Sequence, residues 1–229
     1  MPFSSLRACR LFLFDLDGTL IDSRADITTA LNLALVRMNI RPLSESRVVE
    51  FVGNGVQKLV ERALRETTGF QPENPLIQQG MALFREEYQN HLLDRTCLYP
   101  GVREGLDRLS WARFAVVSNK PEKFSRRILE GLGLGGRFCP VLGEDSTQTR
   151  KPDPTALLNA MECCAASPEE TVMVGDSPVD IEAGKAAGVM TCGVRGGFHP
   201  TEELEAAGCD LIIGNLLELA VHFRPPLPA

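Results

Sequence analysis

Histidine is scarce in this chain. His91, His199 and His222 are the three among 229 residues, and no two stand at a metal-ligand spacing. The seven cysteines, Cys9, Cys97, Cys139, Cys163, Cys164, Cys192 and Cys209, include no Cys-x-x-Cys pair. Both absences argue against a zinc site. An odd, scattered cysteine set reads as reduced thiols, which places the expected location in the cytoplasm. No apolar run approaches membrane-spanning length and the amino terminus lacks a long apolar core, so no membrane partner is expected. Basic charge is also in deficit: the formal net charge of −6 argues against general nucleic-acid binding, which needs a basic face. An anionic substrate would have to be met by local cations working against the global field. Internal repeats and low-complexity segments are missing too, and the Pro-rich end HFRPPLPA is expected to fray.

What is present begins with LFLFDLDGTLID, residues 11–22, where Asp15, Asp17 and Asp22 close or follow an apolar run. Asp-Gly between apolar runs is a hairpin signal. Here, however, Leu11 to Phe14 is continuously apolar, as suits a strand covered on both faces, and the pattern after Gly18 turns helical. The stretch therefore reads as a strand-to-helix junction with acids at the strand's carboxyl end.

For most of the next eighty residues apolar positions recur at helical spacing: Ile27, Leu31, Ala34 and Met38, then Val56, Leu59, Val60 and Ala63, then Ile77, Met81, Phe84 and Tyr88. Ser23 with Asp26 predicts a capping box opening the first helix. From Tyr99-Pro100-Gly101 onward, short apolar strands alternate with helices. Strands are expected at Phe114 to Val117, Val141 to Gly143, Thr171 to Val174, Met190 to Gly193 and Leu211 to Ile213, and helices near 122–131, 153–164, 178–187 and 202–207. The expected fold is α/β, a Rossmann-like parallel sheet joined by the early strand Arg10 to Asp15. Residues 1–19 and 96–229 would form this core, and 20–95 an all-helical insertion. Gly131, Gly133 and Gly136 match G-x-G-x-x-G by letter, but they follow a helix instead of a strand, so they read as a helix end and turn.

Ligand sites in open α/β sheets lie beyond the strands' carboxyl ends. Four strands carry polar residues there or just after: DLDGT, then Ser118, Asn119 and Lys120, then Lys151 before Pro152, then GDSPVD from Gly175 to Asp180. Converging carboxylates, lysines and hydroxyls make a site for a divalent cation and a phosphate group. Taken alone, Asp180 could be the third-position acid of a capping box begun by Ser177, Ser118-Asn119 a strand-end turn, and Lys151 a solvated loop residue. Asp15 and Asp17 have no such ordinary role, because two unpaired acids closing a buried strand cost stability.

DLDGT, SNK, KPDP and GDSPVD, in that order, resemble the motifs of the haloacid dehalogenase-like phosphatases, and the helical insertion resembles that superfamily's first type of cap. FDLDGTLIDSRADI, VGNG, YPGV and GEDSTQTRKPDP are most similar to phosphoglycolate phosphatase members. The resemblance implies Asp15 as nucleophile and Asp17 as general acid and base. It implies Mg²⁺ held by the side chains of Asp15 and Asp176 and the backbone carbonyl of Asp17, with Asp180 aiming the ligands from behind. Thr19 and Ser118 would donate to phosphoryl oxygens, Asn119 would position, and Lys151 would offset the crowded charge. The second Asp favours phosphoryl transfer over dehalogenation.

In the insertion, Gly53-Asn54-Gly55 reads either as a helix start presenting N–H groups to a substrate carboxylate or as a plain helix–helix turn. Lys58 and Arg62 are carboxylate partners or solvated charges, and Lys120 on the core rim is a better candidate for substrate contact. Seams at Leu20 to Asp22 and Leu98 to Gly101 would act as hinges. The expected partner is a small phosphorylated metabolite, and the chain a monomer or homodimer. Other activities open to the same motifs are a sugar phosphomutase, a pyrophosphatase and a broad metabolite phosphatase. A phospho-acceptor signalling domain is the non-enzymatic alternative, disfavoured by the insertion and the first-strand Asp-x-Asp.

Overall fold

The computed structural model describes residues 7–226. In chain order the strands are β1 (Arg7–Ala8), β2 (Leu11–Phe14), β3 (Ile21–Asp22), β4 (Cys97–Leu98), β5 (Arg113–Val117), β6 (Val141–Leu142), β7 (Thr171–Gly175), β8 (Met190–Val194), β9 (Leu211–Ile213) and β10 (Phe223–Arg224). The helices are α1 (Arg24–Arg37), α2 (Glu45–Val49), α3 (Val56–Thr68), α4 (Asn74–Asn90), α5 (Val102–Arg108), α6 (Glu122–Gly131), α7 (Thr155–Cys163), α8 (Pro178–Ala186), α9 (Thr201–Ala206) and α10 (Leu219–His222).

Six strands form one parallel sheet in the order β6-β5-β2-β7-β8-β9. β2 lies between β5 and β7, and the strand order reverses beside it, so the sheet's switch point falls where β2 ends. Side chains alternate across the sheet: Phe12 and Phe14 join one apolar cluster, Leu11 and Leu13 the other. Both clusters are buried, which explains why β2 reads as an unbroken apolar run.

Between β3 and β4 the chain makes α1 to α4, with α4 packed against α1 and α3. The expected stripes are buried, Met38 alone being only partly so. β3 and β4 pair antiparallel, Ile21 opposite Leu98 and Asp22 opposite Cys97, so the two crossings of the helical block are tied together. No helix among the described residues is long and apolar enough to cross a membrane.

Three expectations change. Ser23 precedes α1 but makes no side-chain cap, because its hydroxyl is taken by Asp17. Asp26 is buried and instead accepts from the N–H groups of Arg95 and Thr96 and from the Thr96 hydroxyl, at 2.7–3.0 Å. It fastens α1 to the returning chain, and the N–H of buried Thr96 would otherwise lack a partner. The carboxyl-terminal stretch is not frayed throughout: Phe223 is buried and β10 pairs with β1, while Leu227 to Ala229 lie outside the described residues.

Candidate active site

The carboxyl ends of β2, β5 and β7 and the loop after β6 open on one cavity, roofed by the helical block. Asp15, Asp17, Ser118, Lys151 and Asp176 line its floor, and Val52, Val56, Leu59, Phe84 and Phe124 are among its apolar walls. Asp15 and Asp17, two residues apart along an extended segment, both reach it.

Lys151 is 5 % exposed, with its Nζ 2.7 Å from Asp15 Oδ1 and 2.6 Å from Asp180 Oδ1. Asp180 also accepts from the Ser177 N–H (3.1 Å) and hydroxyl (2.8 Å), completing a capping box at the start of α8. One carboxylate thus both caps a helix and holds the Lys151 ammonium beside Asp15. Asp176 is held by the Thr19 hydroxyl (3.1 Å) and the Phe198 N–H (2.7 Å). Thr19 thus spends its proton on Asp176 here. The Ser118 hydroxyl accepts from the Lys120 N–H at 3.3 Å and donates to nothing among the described residues, so its own proton is available.

Asn119 joins the two halves of the site. Its Oδ1 accepts from the Lys151 N–H at 2.8 Å, and its Nδ2 donates to the Lys151 carbonyl (3.1 Å) and to the Gly53 carbonyl in the helical block (3.0 Å). Gly53 and Gly55 line the cavity, and Gly55 is the residue before α3. The Asn54 side chain does not line it, since Oδ1 is bound by Arg62 at 2.7 Å. Arg62 and Lys58 are committed elsewhere, Lys58 to Glu61 at 2.9 Å. Lys120 faces the cavity but is paired with Asp17 Oδ1 (2.9 Å) and the Tyr88 hydroxyl (2.6 Å).

Burial pushes the Asp15 carboxyl up to about 6; Lys151 opposes that rise, and the nearby Asp180 and Asp17 add to it. Asp176 is pushed well up by burial first, then by the charges of Asp15 and Asp180. Oxygens of Asp15, Asp176 and Asp180 lie within 4.8 Å of one another. Lys151 pairs with two of these carboxylates, leaving Asp176 with neutral donors only. No side chain fits at the two glycines beside it: a Cβ on Gly18 would come within 2.2 Å of Asp176 Oδ2, and one on Gly197 within 2.4 Å. A dense, all-oxygen, over-negative cluster fits a hard divalent cation.

Sequence reasoning missed Ser23, Tyr88, Gly197 and Phe198. Tyr88 alone gave a signal, a hydroxyl at a core position of an apolar stripe, where buried phenols need a partner.

Residues 12–194 match the family model described as haloacid dehalogenase-like hydrolase. A phosphoglycolate phosphatase of Pseudomonas putida is 38 % identical over 217 residues, covering 92 % of this chain and 78 % of that protein. One of Chromobacterium violaceum is 35 % identical, covering 94 % and 96 %. A crystal structure of a predicted phosphoglycolate phosphatase from Haemophilus somnus superposes with a TM-score of 0.84 at 29 % identity, over 92 % of this chain and 96 % of that one. The chain belongs to the haloacid dehalogenase-like hydrolases. Within that family it is phosphoglycolate phosphatase-like, an enzyme that hydrolyses phosphoric monoesters.

Proposed function

We propose that the enzyme hydrolyses 2-phosphoglycolate through a phosphoryl group carried on Asp15, with residues 20–95 acting as a cap over a core of residues 1–19 and 96–229. The observation that carries this reading is the floor of the cavity: Asp15 beside Lys151 at 2.7 Å, with Asp17 two residues on and facing the same space. A carboxylate oxygen of Asp15 attacks phosphorus. Asp17 gives its proton to the departing glycolate oxygen, then takes one from the water that attacks the acyl-phosphate. Inorganic phosphate leaves and the Asp15 carboxylate is restored.

Lys151, the Ser118 hydroxyl and backbone N–H groups of the DLDGT turn meet the phosphoryl oxygens, and Asn119 fixes Lys151. The Thr19 hydroxyl supports Asp176 and reaches the phosphoryl group only by rotating. Mg²⁺ on the side chains of Asp15 and Asp176 and the Asp17 carbonyl, with Asp180 behind, would supply positive charge against the carboxylates and the phosphate. At the other end of the substrate, the Gly53-Asn54-Gly55 turn offers the amino terminus of the 13-residue α3 to the carboxylate. Asn54 contributes backbone only, and the remaining proton of Lys120 is within the same chamber.

The test is phosphate release with Mg²⁺ from 2-phosphoglycolate, glucose 1-phosphate, pyrophosphate and a generic aryl phosphate side by side. Preference for 2-phosphoglycolate supports the reading. Preference for another ester removes the substrate assignment, and no release from any of them removes the hydrolase mechanism.

A further inference from the structure

Tyr88 has no part in the chemistry above. It stands on α4 in the cap, 2 % exposed, in the stripe that packs the helical block. Its ring is held from two sides: Phe84 stacks on it with centroids 5.3 Å apart, and Phe124 of α6 meets it edge-on at 5.5 Å. Its hydroxyl oxygen accepts from Lys120 Nζ at 2.6 Å, and that nitrogen also lies 4.6 Å from the ring centroid. Lys120 Nζ in turn lies 2.9 Å from Asp17 Oδ1. Ser23 donates to that same oxygen, whereas Oδ2 of Asp17 takes no hydrogen bond from the described residues. One edge of the carboxyl group is therefore anchored, and the other has no partner among the described residues.

A lysine on a flexible four-carbon stem does not hold a geometry unaided. Two contacts from one rigid aromatic side chain fix it here. We propose that Tyr88 is a positioning residue of the reaction: by holding Lys120 from the cap, it orients Asp17 toward the leaving group. This rests on the phosphatase reading given above and adds a consequence to it. Asp17 keeps its lysine anchor only while α4 is seated, leaving Ser23 alone to hold it when α4 lifts.

The test is Tyr88→Phe, which deletes the hydroxyl and keeps the packing. Phenyl phosphate and p-nitrophenyl phosphate lack a carboxylate and are close in size, but the phenyl ester depends far more on a proton delivered to its leaving group. The expected result is a loss in kcat/KM of about 10-fold or more on phenyl phosphate and no more than about twofold on the nitrophenyl ester. Lys120→Met should lower kcat/KM on phenyl phosphate at least as far as Tyr88→Phe, and the double variant should be no worse than Lys120→Met alone. Equal losses on both esters overturn the proposal, as does a change confined to KM. If the wild type cleaves 2-phosphoglycolate but neither aryl ester, a crystal structure of Tyr88→Phe decides. Displacement of Lys120 and Asp17 supports the proposal, and unmoved side chains overturn it. A wild type inert on every ester would instead overturn the phosphatase reading.

Discussion

The Nζ of Lys151 lies 2.7 Å from Oδ1 of Asp15, and this single ammonium pairs with two of a cluster of three buried carboxylates. Its second partner, Asp180, is bound to the start of α8 and cannot follow it. The lysine is therefore pinned over Asp15 by a helix cap, an arrangement that holds charge in place before any substrate arrives.

That crowding has a sign that can be measured. The Asp15 carboxyl is pushed up to about 6 from an ordinary value of 3.8, chiefly by burial. Between those values the folded chain holds more protons than the unfolded one, so the group's contribution to stability falls as pH rises through the window. In metal-free protein at pH 8, Asp15→Asn should melt higher than wild type, by roughly 5 °C. At pH 4 the difference should vanish. Thermal melts in EDTA check it, and an Asn variant less stable at pH 8 would contradict it.

Asn119→Ala removes all three hydrogen bonds linking Lys151, the loop after β5 and the Gly53 turn. Leaving those backbone groups unpaired should cost about 2–3 kcal/mol in urea unfolding. It should also lower kcat by about 10-fold through a less constrained Lys151. A change under about 0.5 kcal/mol would show that Asn119 is not the joint between the two halves.

Gly197→Ala places a Cβ 2.4 Å from both Cβ and Oδ2 of Asp176 and 2.5 Å from the Gly18 carbonyl oxygen. Neither a buried carboxylate nor a backbone carbonyl can yield, so a loss of about 1–3 kcal/mol is expected. The Mg²⁺ concentration for half-maximal activity should also rise by about 10-fold. Gly196→Ala is the control: Gly196 has φ of +81° but open space around its Cβ position. It should bring backbone strain of about 1 kcal/mol and leave the Mg²⁺ requirement alone.

The sheet was legible because each strand carries its own local pattern: Leu11 to Phe14 is apolar throughout since both faces are covered, and β7 and β8 are mostly apolar with one buried threonine each. The floor of the site was legible for a related reason. Asp15 and Asp17 violate the pattern of the strand they follow, and a violated local rule points to function. What escaped are contacts whose two ends are remote in sequence. Asp26 looks like a capping acid, yet its partners are Arg95 and Thr96. Ser23 looks like an N-cap, yet Asp17 takes its hydroxyl. Phe223 belongs to a Pro-rich end that reads as frayed, yet it pairs with Arg7. Tyr88 fits the α4 stripe as well as a Phe would, and only its partner Lys120 explains the hydroxyl. Helical periodicity reports which face is buried and says nothing about what that face touches.

The central claim is that Asp15 carries the phosphoryl group. Rapid acid quenching of the enzyme turning over 2-phosphoglycolate with Mg²⁺, followed by mass mapping of the peptide containing residues 11–22, tests it directly. A phosphoryl group on Asp15 that forms and decays at rates compatible with turnover, and is absent with EDTA or in Asp15→Asn, is the predicted result. Phosphate release that proceeds undiminished in Asp15→Asn, with no phosphorylated peptide at any time, would contradict the account.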